Sequence, residues 1–253
     1  LYAKAHAPKE SALYTGEQLI NFSHSTKAEH CRFCANHCNL TINTFNDGSQ
    51  QIAGNKCERP LNKGKMAKKP LPDLYTYKFN KLLTYQNTDG TKGTIGIPMV
   101  LNMYENIPFW QPFFKHLGYS VVLSGRSSRA LYIRGQNTIP SDTICYPAKL
   151  VHGHIQTIIN HKVDKIFYPC MSYNLDEKLG DNHYNCPVVA YYPEVIAANV
   201  GDAAKITLIH DYLGLHRKRD FPVKAHAMLN QYFDGISLKE VKKAAKAAYE
   251  EYY

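Results

Sequence analysis

The sequence predicts an α/β protein, a doubly wound parallel sheet of the Rossmann or flavodoxin-like kind, preceded by a small cysteine-rich lobe built on a β-hairpin. From Gly93 onward, short apolar runs alternate with helical segments, and this alternation is typical of βαβ units with right-handed crossovers. Before Gly93 the chain carries four of its seven cysteines. We therefore expect a cysteine-rich lobe and linker at 1–72 and an α/β domain at 73–253.

The larger domain has a clear order of predicted elements. Strands are predicted at 94–101, 120–123, 165–168, 188–191 and 205–209, and helices at 105–117, 146–158, 194–199 and 223–233. The last helix should follow Ser237, because Ser237 as N-cap and Glu240 three residues later form a capping box. One more short strand is predicted at 81–85, in the connection between the two domains.

The first candidate metal site consists of four cysteines, Cys31, Cys34, Cys38 and Cys57. The apolar alternation of 40–53 around the turn signal Asp47-Gly48 predicts a β-hairpin, whose base would return Cys57 to the other three. Four thiolates hold zinc tetrahedrally or serve a four-iron cluster, and the spacing does not choose between them. Four unligated thiols would leave the lobe little to hold it together, since metal binding often supplies folding energy.

The second candidate site consists of Cys145, Cys170 and Cys186, each close to a proline where a strand and a helix should meet. Pro147 predicts a helix start that places Cys145 at a helix N-terminus, where a thiolate is favoured. Cys170 follows a predicted strand, at the edge where open α/β sheets bind ligands. Cys186 precedes a predicted strand and should start at the opposite edge, unless 171–185 folds back. Converging thiols would form a site for iron and sulfur; the alternative is three ordinary buried thiols.

Further motifs narrow the range of functions. The sequence contains no G-x-G-x-x-G, no phosphate-binding loop and no nucleophile elbow. The donor-rich loop Gly125–Arg129 follows a predicted strand and suits contact with a phosphate or a carboxylate, or equally helix capping by Ser127 or Ser128. His152 and His154 do not share a helix face as an i, i+4 metal pair would, and we interpret them as polar contacts in or beside the helix.

Charge and composition indicate the compartment. The net charge of +9 suits nucleic acid, an acidic partner or an anionic substrate, and alone it does not choose. The basic run 56–69 carries no interleaved aromatics that would stack on bases, so it is interpreted as a solvated face or linker and nucleic acid is not an expected partner. No apolar window reaches the roughly 18 residues of a membrane span, and no signal peptide is evident. Seven cysteines, an odd number with four in one short window, favour metal or redox chemistry in a reducing compartment over a secreted disulfide framework. We therefore expect a cytoplasmic protein without membrane contact.

Several segments together resemble a known family. They are 31–38, 54–59, 97–106, 123–124, 126–128, 142–154, 167–170 and 186–189. They are similar to the region related to 2-hydroxyacyl-CoA dehydratases, and more narrowly to large bacterial activators of (R)-2-hydroxyglutaryl-CoA dehydratase, the CoA-substrate-specific enzyme activases. The resemblance implies an oxygen-sensitive iron–sulfur protein of anaerobic or facultative bacteria. It also implies that three cysteines hold a 4Fe-4S cubane, and Cys145 and Cys170 match those ligand positions better than Cys186 does.

The resemblance further implies a function for this chain. It would be the iron–sulfur module of an activator-type protein, passing low-potential electrons for reductive chemistry on a CoA thioester. The implied partners are ATPase activator domains, a dehydratase-like protein and acyl-CoA. The family's glycine-rich phosphate site is missing from this sequence, so the chain should not hydrolyse ATP alone. A non-catalytic zinc-bearing interaction module with an α/β lobe is the other expectation, although family resemblance favours iron and sulfur at the N-terminal cysteines as well.

Overall fold

A computed structural model of the protein describes residues 14–63, 72–201 and 206–253. The chain divides into Leu1–Pro72, termed unit 1, and Asp73–Tyr253, termed unit 2. The described part of unit 1 contains the short helix α1 (Gly16–Ile20) and the strands β1 (His24–His30), β2 (Asn39–Phe45) and β3 (Gln50–Ala53). The strands form an antiparallel sheet in the order β1-β2-β3.

The hairpin predicted at 40–53 is confirmed as β2 and β3. Ile42 lies opposite Ile52 in the register of the two strands. At the turn, Gly48 has a φ of 79°, a value that suits glycine, and the Asp47 carboxylate accepts from the backbone N–H of Ser49 at 2.8 Å. Strand β1, which was not predicted, pairs with the other side of β2 along its full length.

Unit 2 holds four parallel strands and the helices that flank them. In chain order the elements are α2 (Leu74–Leu83), β4 (Thr94–Ile97), α3 (Leu101–His116), β5 (Ser120–Leu123), α4 (Arg129–Gly135), a 3₁₀ turn (Gln136–Thr138), α5 (Tyr146–Asn160), β6 (Lys165–Phe167), α6 (Pro187–Asn199), β7 (Thr207–Ile209), α7 (Phe221–Tyr232) and α8 (Leu238–Tyr252). The strand order is β5-β4-β6-β7 and every pair is parallel. The predicted parallel sheet is therefore confirmed, and so is the capping box of Ser237 and Glu240.

An aromatic cluster on α3 forms the centre of the core. Trp110 and Phe114 are fully buried, and their rings pack edge-on against Phe167 of β6 at centroid distances of 4.6 and 4.8 Å. On another side of α3, Phe109 meets Tyr249 of α8 at 4.7 Å. These contacts fix one crossover helix and the C-terminal helix to the sheet, and so hold the strand ends in place.

Two predicted strands are wrong. Residues 188–191 lie in the first turns of α6, because Pro187 occupies the start of the helix and Cys186 caps it. The β-branched and aromatic residues there favour a strand locally, but the buried side chains Ala190, Pro193 and Ile196 follow helical spacing. Residues 81–85 overlap the end of α2, a helix that Asp73 starts by accepting from the N–H of Thr76 at 3.0 Å.

The boundary between β4 and α3 also differs from prediction. The strand predicted at 94–101 ends at Ile97, because Pro98 follows it, and α3 then begins four residues earlier than expected. None of the described helices combines the length and the apolar character needed to cross a membrane.

Candidate functional site

Cys145, Cys170 and Cys186 all lie at the carboxyl-terminal edge of the parallel sheet. Cys145 is the N-cap of α5, with a φ of −63° and a ψ of 151°, and its thiol is exposed and makes no capping hydrogen bond. The predicted position of Cys145 at a helix start is confirmed. Since α5 is the crossover helix that leads into β6, its N-terminus lies at the carboxyl-terminal edge.

Cys170 follows β6 at the same edge. Its N–H donates to the carbonyl oxygen of Asp211 at 3.0 Å, and its carbonyl oxygen accepts from Leu213 at 3.1 Å. These bonds extend the β6–β7 pairing beyond the strands. The residue is buried, with 1% of its surface exposed.

Cys186 lies at this edge as well, as expected for the case in which 171–185 folds back. It is the N-cap of α6, and its Sγ accepts from the N–H of Val189 at 3.4 Å. The segment between Cys170 and Cys186 folds back on itself, because Asn174 N–H donates to His183 at 2.8 Å and Asn185 N–H donates to Ser172 at 3.0 Å. The side chain of Asn185 also donates to the carbonyl oxygen of Met171 at 2.8 Å, so the two ends of the loop are held together.

The electrostatic surroundings of Cys170 favour the protonated thiol. Burial, followed by the negative charge of Glu194 on α6, raises the pKa of Cys170 to about 11. Glu194 in turn accepts a short hydrogen bond from the hydroxyl of Tyr212. Near Cys170, the hydroxyl of Tyr168 is fully buried and has no hydrogen-bond partner among the described residues. Such an unpaired buried group is uncommon in folded proteins, and the side chains of Asn102 and Trp110 are the other examples among the described residues.

The three thiols share an edge without forming a coordinating group. Within residues 14–63, 72–201 and 206–253, no three His, Cys, Asp or Glu side chains are placed to hold a metal ion. The donor set fits iron–sulfur ligation by its chemistry, since cluster iron is held by cysteine thiolates. The assignment of Cys145, Cys170 and Cys186 as ligands therefore stays a prediction.

In unit 1 the backbone returns Cys57 towards the other three cysteines. Cys31 N–H donates to the carbonyl oxygen of Cys38 at 2.8 Å, which closes the loop that holds Cys34. Arg59 donates to the carbonyl oxygen of Phe33 at 3.3 Å, so the segment after Cys57 contacts this loop. Cys31 is buried and Cys57 is exposed.

A glycine makes this return possible. Gly54 has a φ of 81°, and a Cβ placed on it would lie 2.1 Å from the carbonyl oxygen of Asn39. Only glycine permits that approach, and Asn39 is the residue directly after Cys38. The four thiols fit a tetrahedral zinc or cluster site by chemistry, but they too are not yet arranged as a coordinating group in the part of the chain described. The N-terminal metal site also stays a prediction.

Two buried histidines on α5 have more partners than the sequence indicated. His152 and His154 are fully buried. His152 lies 2.8 Å from Thr138 Oγ1 through Nδ1 and 2.9 Å from the hydroxyl of Tyr192 through Nε2. These partners could not be predicted from the sequence, because Thr138 and Tyr192 come from other elements and belong to no motif.

Comparison with known proteins places the chain in a family. The family model described as the CoA enzyme activase uncharacterised domain matches residues 94–253. The chain therefore belongs to this family of CoA enzyme activase-related domains, and the resemblance inferred from its sequence is confirmed. No curated protein and no solved structure matches the chain.

Proposed function

We propose that this protein is an iron–sulfur module that passes low-potential electrons to a dehydratase-type enzyme acting on a CoA thioester. The observation that carries the proposal is that Cys145, Cys170 and Cys186 each lie at the same edge of the parallel sheet, two at the starts of crossover helices and one after a strand. Membership of the activase-related family supports it. A bound 4Fe-4S cluster would supply one-electron reduction, and three protein thiolates would leave one iron open.

The residues at this edge have distinct roles in the proposal. Cys145 supplies a thiolate that the N-terminus of α5 stabilises through its dipole and free N–H groups. Cys170 would release its proton to solvent on ligation, because the positive charge of the iron stabilises the thiolate. The side chains of Cys170 and Cys186 would turn from their present neighbours, Glu194 and Val189, towards the cluster. The buried hydroxyl of Tyr168 would donate to the bound group, and hydrogen bonds of this kind tune cluster potential.

The partners follow from this role. We expect ATPase activator domains to supply the electron, as the family resemblance implies, since this sequence has no phosphate-binding loop of its own. The electron is then delivered to a dehydratase-like partner, whose substrate is an acyl-CoA. In this proposal the chain alone hydrolyses no ATP.

The cluster ligands are tested by iron analysis of the protein purified without oxygen. Cys145→Ser should lose most of the iron and acid-labile sulfide of the unit 2 site, because a serine hydroxyl is a poor substitute for a thiolate. Thr143→Ala, in the same loop, is the matched control and should keep both. Unchanged iron in Cys145→Ser would sink the proposal. Unchanged iron in Cys186→Ser alone would show that two thiolates act with another ligand.

We further propose that Cys31, Cys34, Cys38 and Cys57 form a separate metal site, which we expect to hold an iron–sulfur cluster. The closed loop between Cys31 and Cys38 and the return of the chain at Gly54 favour it. Zinc without iron in the whole protein would support the other function instead, a non-catalytic zinc-bearing interaction module.

The double variant Cys31→Ser/Cys34→Ser should lose the metal of unit 1 while the iron bound through Cys145 remains. Metal analysis for iron and zinc, read beside the Cys145→Ser variant, separates the two sites. Loss of all metal in both variants would contradict two independent sites.

A further inference from the structure

A small cavity opens at the carboxyl-terminal ends of β4 and β5. Its volume is about 300 Å³. Met99 follows β4 and Arg126 and Ser127 follow β5, while the rings of Tyr75, Phe79 and Tyr104 supply most of the remaining wall. No acidic residue lines the cavity. The nearest acid lies behind its wall, where the Asp73 carboxylate accepts from the hydroxyl of Thr76, a lining residue, at 2.7 Å. Its polar side chains at the strand ends belong to the loop Gly125–Arg129, in which Ser128 caps α4 and Arg126 and Ser127 are free for another role.

The hydroxyl of Ser127 is oriented by a chain of hydrogen bonds that starts in the core. The N–H of Met99 donates to Ser124 Oγ at 2.8 Å. Ser124 Oγ lies 2.7 Å from Nδ1 of His154, and Nε2 of His154 lies 2.8 Å from Ser127 Oγ. A neutral imidazole has one N–H, so only one of these two contacts can be a donation from the ring.

The tautomer of His154 follows from the protons available. Ser124 is buried, and its oxygen already accepts from Met99. If Nδ1 carried the proton, the hydroxyl proton of Ser124 would be left buried without an acceptor, which costs free energy. Ser124 therefore donates to Nδ1, and Nε2–H donates to Ser127. The hydroxyl proton of Ser127 is then free to donate into the cavity.

Arg126 is the second donor. Its guanidinium carbon lies 4.4 Å from the centroid of the Phe79 ring, a distance at which the cation stacks on the aromatic face. Among the described residues no carboxylate lies within 4.0 Å of this guanidinium. Its N–H groups are thus free for an acceptor beside that of Ser127.

We propose that this cavity binds a small carboxylate with an apolar or aromatic body. A free hydroxyl proton and a guanidinium fork together match the two oxygens of a carboxylate. Arg126 is the one cation in the lining, and the nearby Asp73 carboxylate already offsets part of its charge, so a monoanion suits the cavity better than a phosphate dianion does. The aromatic walls suit an apolar body, and 300 Å³ is the lower end of the range for ligand pockets. This site is independent of the cysteines and does not rest on the proposed electron-transfer function.

The proposal is tested by calorimetric titration of the full chain with benzoate, phenylacetate and acetate, with inorganic phosphate as the comparison. Benzoate or phenylacetate should bind saturably and more tightly than acetate or phosphate. Arg126→Gln should weaken the binding by at least about tenfold, as expected for loss of a charge-assisted hydrogen bond. The affinity of Arg126→Lys should fall between those of the unchanged protein and Arg126→Gln, because lysine keeps the positive charge but lacks the paired N–H donors of the guanidinium.

Arg129→Gln is the matched control, since Arg129 belongs to the same loop and does not line the cavity. The Arg129→Gln variant should bind benzoate and phenylacetate with the affinity of the unchanged protein. The proposal would be overturned if none of the three carboxylates binds, or if Arg126→Gln binds as tightly as the unchanged protein. It would also be overturned if Arg129→Gln weakens binding as much as Arg126→Gln does. Tighter binding of phosphate than of the carboxylates would overturn the ligand class. Ser127→Ala should also weaken binding, and the ¹⁵N shifts of His154 should show the proton on Nε2; a proton on Nδ1 would remove the role of Ser127.

Discussion

Lowering the pH from 7 to 5 is expected to reduce the free energy of unfolding of this protein by about 2 kcal/mol for each of the two buried histidines, His152 and His154. Burial lowers the pKa of both to about 4, against an ordinary value of 6.5. Between pH 6.5 and pH 4, the two histidines are mostly protonated in the unfolded chain and mostly neutral in the folded protein. Stability is therefore complete above pH 6.5 and falls as the pH drops towards 4.

The hydrogen bonds of His152 explain why its imidazole stays neutral in the folded protein. Thr138 gives its hydroxyl proton to the carbonyl oxygen of Gly135 at 2.9 Å, so it must accept from His152 Nδ1–H. Nε2 of His152 then accepts from the hydroxyl of Tyr192. A second ring proton would face a donor. The two histidines thus hold opposite tautomers, with the proton on Nδ1 in His152 and on Nε2 in His154.

Urea unfolding at pH 7 and pH 5 measures this effect. The double variant His152→Gln/His154→Gln should be less stable at pH 7, because the buried hydrogen bonds are disturbed, yet its stability should change much less between the two pH values. His161→Gln, at the C-terminal end of the same helix, should retain the full pH dependence. Equal unfolding free energies at pH 7 and pH 5 in the unchanged protein would contradict the assignment of neutral buried histidines.

The sequence was sufficient to predict the parallel sheet because apolar runs and helical segments alternate locally. It failed at 188–191, where the preference of Val188 and Val189 for strands is overridden by Pro187 and by helical burial of Ala190. A residue before a strand and a residue before a crossover helix belong to opposite edges of a parallel sheet. With a strand at 188–191, Cys186 needed the fold-back of 171–185 to reach the edge of Cys145, whereas the helix places it there directly. The helix start at Cys145 was predicted correctly from Pro147, two residues later. Pro187, directly after Cys186, is a similar signal for the start of α6.

Contacts between side chains distant in sequence could not be predicted. His152 and Tyr192 are 40 positions apart, and Ser127 and His154 are 27 apart. Each pair depends on how α5 packs against other elements, and no local pattern encodes that packing. The loop Gly125–Arg129 illustrates the limit: its composition suits both capping and ligand contact, and the structure assigns Ser128 to the cap while Arg126 and Ser127 line a cavity.

Gly153→Ala is expected to destabilise unit 2 by about 1–3 kcal/mol, as overpacking in a close-packed interior does. A Cβ on Gly153 would lie 2.1 Å from the carbonyl oxygen of Leu131, and a Cβ on Gly135 would lie 2.2 Å from the backbone nitrogen of Gly153. The helices α4 and α5 therefore touch backbone to backbone, and neither contact can be relieved by a flexible side chain. The gain in helix propensity from glycine to alanine, up to about 1 kcal/mol, offsets only part of this cost.

The displacement caused by Gly153→Ala should also reach the cavity, because α4 begins directly after Ser127 and Ser128 and Gly153 lies between the two buried histidines. Urea unfolding gives the loss of stability, and backbone amide shifts should change along α4 as well as α5. Gly180→Ala is the control, since a Cβ there meets nothing within 4 Å and its stability should stay within about 0.5 kcal/mol of the unchanged protein. A Gly153→Ala protein as stable as Gly180→Ala would mean that α4 can move away from α5 at no cost, and the fixed orientation of Ser127 would then lose its structural basis.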